Sequence, residues 1–153
     1  MKIEQLRALV EAAGTQAKMV ILGLHRPLMP TWVYIDPEGG PHVIGTPWTN
    51  EIEKRYYGWY IRTELQMHQA TAYSFVCEAW STTAPLGQPR TEPRLDPARR
   101  EIVLAFATDG DQIEWKQWDI VRDHEDQVSA LKETEVKGNH TSWLTQLLRK
   151  KHA

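Results

Sequence analysis

Residues 100–121 read REIVLAFATDGDQIEWKQWDIV, and this stretch decides the fold. Apolar and polar side chains alternate on both sides of Asp109-Gly110, a dipeptide typical of a type I′ turn between two antiparallel β-strands. The pattern therefore predicts strands over 100–107 and 112–121. A two-residue turn would pair, on the core side of this hairpin, Phe106 with Ile113, Leu104 with Trp115 and Arg100 with Asp119.

Further elements precede this hairpin in the chain. The helical spacing of apolar residues predicts an amphipathic helix over 2–13, and residues 15–24 fit either a second helical stretch, which we favour, or a buried strand. Two apolar runs, 31–36 and 42–46, flank the turn-rich sequence PEGGP and predict another hairpin. A third run predicts a strand over 71–81.

The clearest helix covers residues 51–69. Asn50, followed by Glu53, forms a capping box at its start. Apolar and aromatic side chains recur at spacings of three and four residues, which is typical of one face of an amphipathic helix. The members of this face are Ile52, Tyr56, Trp59, Tyr60, Thr63 and Met67.

Together these elements predict an α+β fold with one mainly antiparallel sheet of about five strands and helices packed on one face. Residues 1–125 are expected to form a single domain, a usual length for one hydrophobic core. Residues 126–153 are expected to form a polar C-terminal extension. It ends in a short amphipathic basic helix, in which Trp143, Leu144 and Leu147 precede the sequence RKKH.

The composition is that of a globular protein. Hydrophobic residues make up 41% and charged residues 25% of the 153 residues. The formal net charge of -2 provides no basic field, so nucleic-acid partners are not expected. The longest apolar run, 19–24, is too short for a membrane span or a signal peptide, and the single Cys77 excludes an intrachain disulfide. We therefore expect a cytoplasmic protein with no membrane association.

Two short motifs give a resemblance. Strand 71–81 ends in Glu-Ala-Trp, and the loop after it ends in Asp-Pro-x-Arg-x-Glu. The residues that carry the motifs are Glu78, Ala79, Trp80, Asp96, Pro97, Arg99 and Glu101. Between residues 30 and 122 the chain resembles a family of small proteins from bacterial and phage genomes that has no assigned activity. The resemblance implies that the protein comes from such a genome, and it implies nothing about a mechanism.

Patterns typical of catalysis or metal binding are sparse. None of the six histidines lies three or four residues from another, the spacing of a helical metal site. Cys77 falls on the aromatic face of its strand, where a thiol acts as a small hydrophobic group. The sequence therefore predicts no cofactor and no resident metal.

The best enzymatic alternative is a metal-dependent nuclease or phosphodiesterase. The sequence Glu114-Trp115-Lys116 resembles the Glu-x-Lys of restriction-type nucleases, in which Glu101 and Glu114 would hold Mg²⁺ while Lys116 orients water. Two features oppose this alternative: the Pro-Asp dipeptide of that family is absent, and the predicted register sets Glu101 opposite Trp118.

Candidate binding residues surround a long loop. Glu78 lies between Val76 and Trp80, so its carboxylate needs a partner, for which Arg99 and Arg100 are the candidates. The loop 84–98 is long and proline-rich, as functional loops often are. The full candidate set is Glu78, Trp80, Arg90, Arg94, Arg99 and Trp118.

The large number of tryptophans in the chain indicates a binding function. The chain has seven tryptophans, and the predicted sheet carries aromatic residues on both faces, only one of which a single helical layer can cover. We therefore predict a non-catalytic binding or accessory protein, of phage or mobile-element origin, that acts through protein–protein contacts. The expected contact is a homodimer through the sheet face that bears Trp80 and Trp118. In the competing account, a helix over 141–150 folds back onto that face.

Overall fold

An antiparallel sheet of six strands organises the part of the chain that the structure describes, residues 1–81, 100–136 and 142–148 of a computed structural model. The strand order is β2-β1-β3-β4-β5-β6. The α+β class and the single antiparallel sheet are confirmed, with one strand more than expected. The elements are α1 (Ile3–Lys18), β1 (Thr31–Ile35), β2 (Pro41–Gly45), α2 (Glu51–Met67), β3 (Ala72–Ser81), β4 (Arg100–Thr108), β5 (Ile113–Arg122) and β6 (Val128–Thr134).

Each face of the sheet carries its own hydrophobic core. Side chains of β3 supply both cores, because Val76 points to one face and Phe75 to the other, and both are buried. The expectation that the helices share one face is therefore wrong, since a strand buried on both sides needs a cover on each. The α1 core contains Leu6, Val10, Ala13 and Ala17 of α1, and the α2 core contains Ile61, Leu65, Leu144 and Leu147.

The hairpin of β4 and β5 forms as expected, but its register is shifted by two residues. Phe106 faces Trp115 in place of Ile113, so the loop 109–112 holds four residues. The side chain of Asp109 favours this longer loop, because its Oδ1 accepts hydrogen bonds from the backbone N–H groups of Asp111 at 2.9 Å and Gln112 at 2.8 Å. An even shift leaves every side chain on its predicted face. The other partners also change: Leu104 faces Gln117 and Ile102 faces Asp119.

The sheet continues past residue 125, where the sequence indicated the end of the domain. Strand β6 pairs with β5 at the edge of the sheet, and Leu144 and Leu147 are buried in the α2 core. The Tyr73 hydroxyl donates to the Leu144 carbonyl at 2.5 Å and accepts from the Leu147 N–H at 3.2 Å. A short 3₁₀ turn, Trp143–Gln146, stands where the amphipathic helix was expected. The basic residues 149–152 lie outside the described residues.

Helix α1 is longer than predicted and covers the face that was expected to be bare. It continues as a π-helical turn over Met19–Gly23, so residues 15–23 are helical, as we favoured for 15–24. Gly14 lies inside the helix and allows close approach to the sheet: a β-carbon there would lie 2.5 Å from Cζ2 of Trp118. Trp118 is only 3% exposed as a result. Of the helices described, none has the length and apolarity that a membrane crossing requires.

We expect Gly14→Ala to lower the free energy of unfolding, although alanine is the better helix former. The added methyl group would overlap the Trp118 ring, at a cost near the upper end of about 1–3 kcal/mol, which exceeds the gain in helix propensity of about 1 kcal/mol. Gly23→Ala is the matched control, because a β-carbon at that position meets no atom within 4 Å. Chemical denaturation measures the difference, and a Gly14→Ala variant as stable as the wild type would contradict the close contact.

Candidate protein-docking surface

The predicted binding residue Glu78 lies near the end of β3, where its carboxylate accepts a hydrogen bond from the Leu28 backbone N–H at 3.2 Å. Arg100, one of its two expected partners, forms a salt bridge with Asp119 instead. The Arg100 pairing is wrong because strand alternation places Arg100 and Glu78 on opposite faces of the sheet. Three other predicted residues, Arg90, Arg94 and Arg99, lie outside the described residues.

Trp80 and Glu101 are cross-strand partners at this same end of the sheet. Glu101 accepts a hydrogen bond from Nε of Arg122 at 2.7 Å, and this bond raises the pKa of Arg122. The same residues line a cavity of about 710 Å³ together with the Arg100–Asp119 pair. Because each of these charges faces an opposite charge, the cavity wall is largely neutral, and exposed pairs of this kind contribute little.

Trp118, predicted to lie in an interface, belongs to the α1 core. Its ring lies under the backbone of Gly14, and Nζ of Lys18 is 6.0 Å from the ring centroid. The predicted dimer surface is therefore wrong, because α1 already covers Trp118. The competing account also fails, since Leu144 and Leu147 pack on the opposite face of the sheet. Trp80, on the same face as Trp118, is 42% exposed, and self-association itself stays a prediction.

The residues of the nuclease alternative do not converge. Glu114 and Lys116 both form salt bridges with charged side chains of α1. Glu114 pairs with Ala107 of β4. Glu101 lies six positions before Ala107 on the same strand, so Glu101 and Glu114 are separated by about 20 Å. Within residues 1–81, 100–136 and 142–148, no three His, Cys, Asp or Glu side chains lie close enough to hold a metal ion. The geometry gives this alternative no support.

Cys77 has the properties of a structural thiol. It lies on the α2 side of β3, partly buried beside the aromatic core. Burial raises its pKa to about 12; Lys54 opposes this shift and Glu78 reinforces it. Because the thiolate is the nucleophilic form of cysteine, the group is unreactive at neutral pH.

The most prominent feature of the surface is an apolar stripe on α2, which we call the outer stripe. Its members are Ile52, Tyr56, Trp59, Tyr60 and Met67. Their exposed fractions range from 39% for Tyr60 to 82% for Ile52. These are residues of the helix face that the sequence predicted, and the structure turns that face towards the solvent.

The outer stripe lies opposite the side of α2 that packs on the sheet. The buried residues of the helix are Gly58, Ile61 and Leu65. At 3.6 residues per turn, their mean direction is about 180° from that of the outer stripe. The polar cap at Asn50, whose Oδ1 accepts from the Glu53 N–H at 2.8 Å, starts the helix as expected. One helix thus carries two apolar sides, of which the sheet covers one.

Trp143 extends the outer stripe beyond the helix. Its ring lies on the backbone of Gly58, where a β-carbon would overlap it, and the side chain remains 39% exposed. A cleft of about 270 Å³ separates Trp143 from Trp59, and two guanidinium groups, those of Arg55 and Arg62, line it. The combined surface therefore presents aromatic rings beside positive charge.

Sequence reasoning found the apolar face of α2 but not its direction or its neighbours. Gly58 was an available signal, because a glycine inside a helix lowers its stability and so indicates a close approach. The identity of the approaching group, Trp143, could not be read from the sequence, since 85 positions separate the two residues.

A comparison with protein-family models, curated proteins and solved structures finds no match to this chain. The resemblance carried by Glu78, Trp80 and Glu101 therefore stays a prediction. Geometry and exposure make α2 the candidate site: the charges at the sheet end compensate one another, whereas the outer stripe is an extended apolar surface in water.

We expect Cys77 to resist alkylation in the folded protein. With its pKa raised to about 12, the thiolate fraction at neutral pH, and with it the rate of reaction with iodoacetamide, falls about a thousand-fold below that of an ordinary cysteine. Mass spectrometry of the native protein over time measures the rate, and the same protein unfolded in guanidinium is the control. Similar rates in the two states would contradict the burial of the thiol.

Proposed function

We propose that this protein is a non-catalytic binding protein that acts through protein–protein contacts, and that the outer stripe, together with Trp143, is its docking surface. One observation carries the proposal: the apolar side chains of the outer stripe face the solvent about 180° from the side of α2 that packs on the sheet. Soluble proteins rarely expose a contiguous apolar surface of this kind unless it serves binding.

The exposed area of the aromatic rings supports the binding of a partner. Its three aromatic side chains and Trp143 are 39–64% exposed, which leaves on the order of 400 Å² of ring surface in water if each ring offers about 150–250 Å². Burial of that area contributes about 10 kcal/mol at about 25 cal/mol per Å². Association costs about 4–15 kcal/mol, so the polar flanks of the outer stripe must add complementary contacts.

The residue types support the same conclusion. Tryptophan, tyrosine and arginine are the side chains most enriched among the residues that dominate binding energy. Trp59 lies between Tyr56, one turn before it on the helix, and Trp143, and the cleft beside it can receive a side chain of the partner. We therefore place the centre of the interface at Trp59.

Origin and location complete the proposal and depend on the sequence alone. The motif residues Glu78, Trp80 and Glu101 support an origin in a phage or mobile element. The lone Cys77 suits the reducing cytoplasm, where disulfides are rare. An accessory protein that binds another protein is compatible with both.

We expect photo-crosslinking to identify the outer stripe as the contact surface in cells. With p-benzoylphenylalanine in place of Tyr56, irradiation should give a covalent adduct of higher mass, because the side chain would touch a bound partner. The matched control places the same probe at Met19, which is 62% exposed but lies on the other side of the sheet. No adduct is expected there.

A second variant separates binding from folding. Trp59→Glu should abolish the adduct at position 56 while it changes the free energy of unfolding by no more than about 0.5 kcal/mol, as exposed positions do. Adducts of equal yield at positions 56 and 19, or none at position 56, would contradict the proposed surface.

A further inference from the structure

We infer that the occupant of the outer stripe is a second copy of this chain, related by a two-fold axis parallel to α2, so that two α2 helices pack face to face in the same direction. This inference rests on the proposed docking surface and adds the identity and orientation of the partner. The charges on either side of the outer stripe carry it.

The two flanks of the outer stripe have opposite charge. At 3.6 residues per turn, Arg55 and Arg62 lie roughly 100° to one side of its centre, and Glu53 and Glu64 lie roughly 80° to the other side. Glu51, which is further round on the arginine side, approaches Lys54 at 4.0 Å. The apolar centre is thus bordered by a basic edge and an acidic edge.

Only one of the two symmetric arrangements pairs unlike charges. If two identical helices meet face to face and run antiparallel, the two-fold axis lies across them and sets basic edge against basic edge. If they run parallel, the axis lies along them and sets the basic edge of each against the acidic edge of the other. Electrostatic complementarity of this kind selects register and orientation, so it selects the parallel pair.

The positions of the charged residues along the helix axis also favour the parallel pair. Arg55 is two residues from Glu53, and Arg62 is two residues from Glu64, an offset of about 3 Å along the axis in both cases. In a parallel pair each arginine therefore lies near the matching carboxylate of the other copy. An antiparallel pair would place Arg55 near Arg62 instead.

The carboxylates are held in place for this contact. Glu53 accepts hydrogen bonds from the backbone N–H of Thr49 at 3.0 Å and from its hydroxyl at 3.1 Å. Glu64 lies 3.2 Å from His68 one turn along the helix. Both acidic groups therefore have a fixed position at the edge of the apolar surface, where a guanidinium of the second copy can approach them.

Sedimentation of the full-length protein across the micromolar range tests the inference. We expect a reversible dimer in the wild type and, in Trp59→Glu, a monomer that melts like the wild-type protein diluted below the concentration at which it dimerises. Arg62→Glu should weaken the dimer about tenfold, because it replaces two symmetry-related exposed attractions with two repulsions. The double variant Arg62→Glu/Glu64→Arg should restore wild-type affinity, since it exchanges the two edges in both copies. Arg26→Glu, an exposed arginine before β1, has the same charge change and should have no effect.

Each contrary result has a definite meaning. A dimer that Arg62→Glu strengthens would overturn the parallel orientation, because that change favours the antiparallel pair. A dimer unaffected by Trp59→Glu would place the contact elsewhere. A wild-type monomer at every concentration would overturn the second copy as partner.

The crosslinking experiment separates this inference from the proposed function. An adduct at position 56 with twice the mass of the chain supports both. An adduct of any other mass retains the docking surface and overturns the dimer. A monomeric protein that gives no adduct overturns both.

Discussion

The burial of β3 on both of its faces is the constraint on which the rest of the structure depends. Val76 and Phe75 are adjacent, point in opposite directions and are both inaccessible to water, so neither face of the sheet can be left open. Helix α1 covers one face, and α2 with the segment at 142–148 covers the other. The two edge strands of the sheet are β2, which is short, and β6, which is polar. Such strands are common at edges, because one row of their backbone N–H and C=O groups has no partner strand.

Two glycines decide which tryptophans are core and which are surface. Gly14 lets α1 approach Trp118 closely, which buries that ring, and Gly58 lets the Trp143 ring approach the backbone of α2 while part of the residue stays exposed. In each case a backbone without a β-carbon accepts a large ring at van der Waals distance. The same feature therefore closes the α1 side of the molecule and adds a partly exposed ring beside the outer stripe on the α2 side.

The polar and apolar parts of the surface differ in what they can do. At the end of the sheet, Arg100 pairs with Asp119 and Arg122 with Glu101, so charge is compensated within the chain. Along α2 the sheet already has the apolar side it needs in Ile61 and Leu65, and the second apolar side belongs to neither core of the described residues. This exposed apolar side is the basis of the docking surface proposed above.

The sequence by itself determined the element types, because periodicity and turn residues act locally. It specified the helix after Asn50, the hairpins, and the face of α2 that carries Tyr56 and Trp59. The register after Asp109 was not read from the sequence, although its cause is local: hydrogen bonds from the Asp111 and Gln112 N–H groups to the Asp109 carboxylate lengthen the loop, which the Asp-Gly turn pattern does not include. The tertiary structure alone decided which side of each element meets the sheet: Trp118 is buried under α1, whereas Trp59 faces the solvent. That difference arises from contacts between residues far apart in the chain, and no local pattern encodes them.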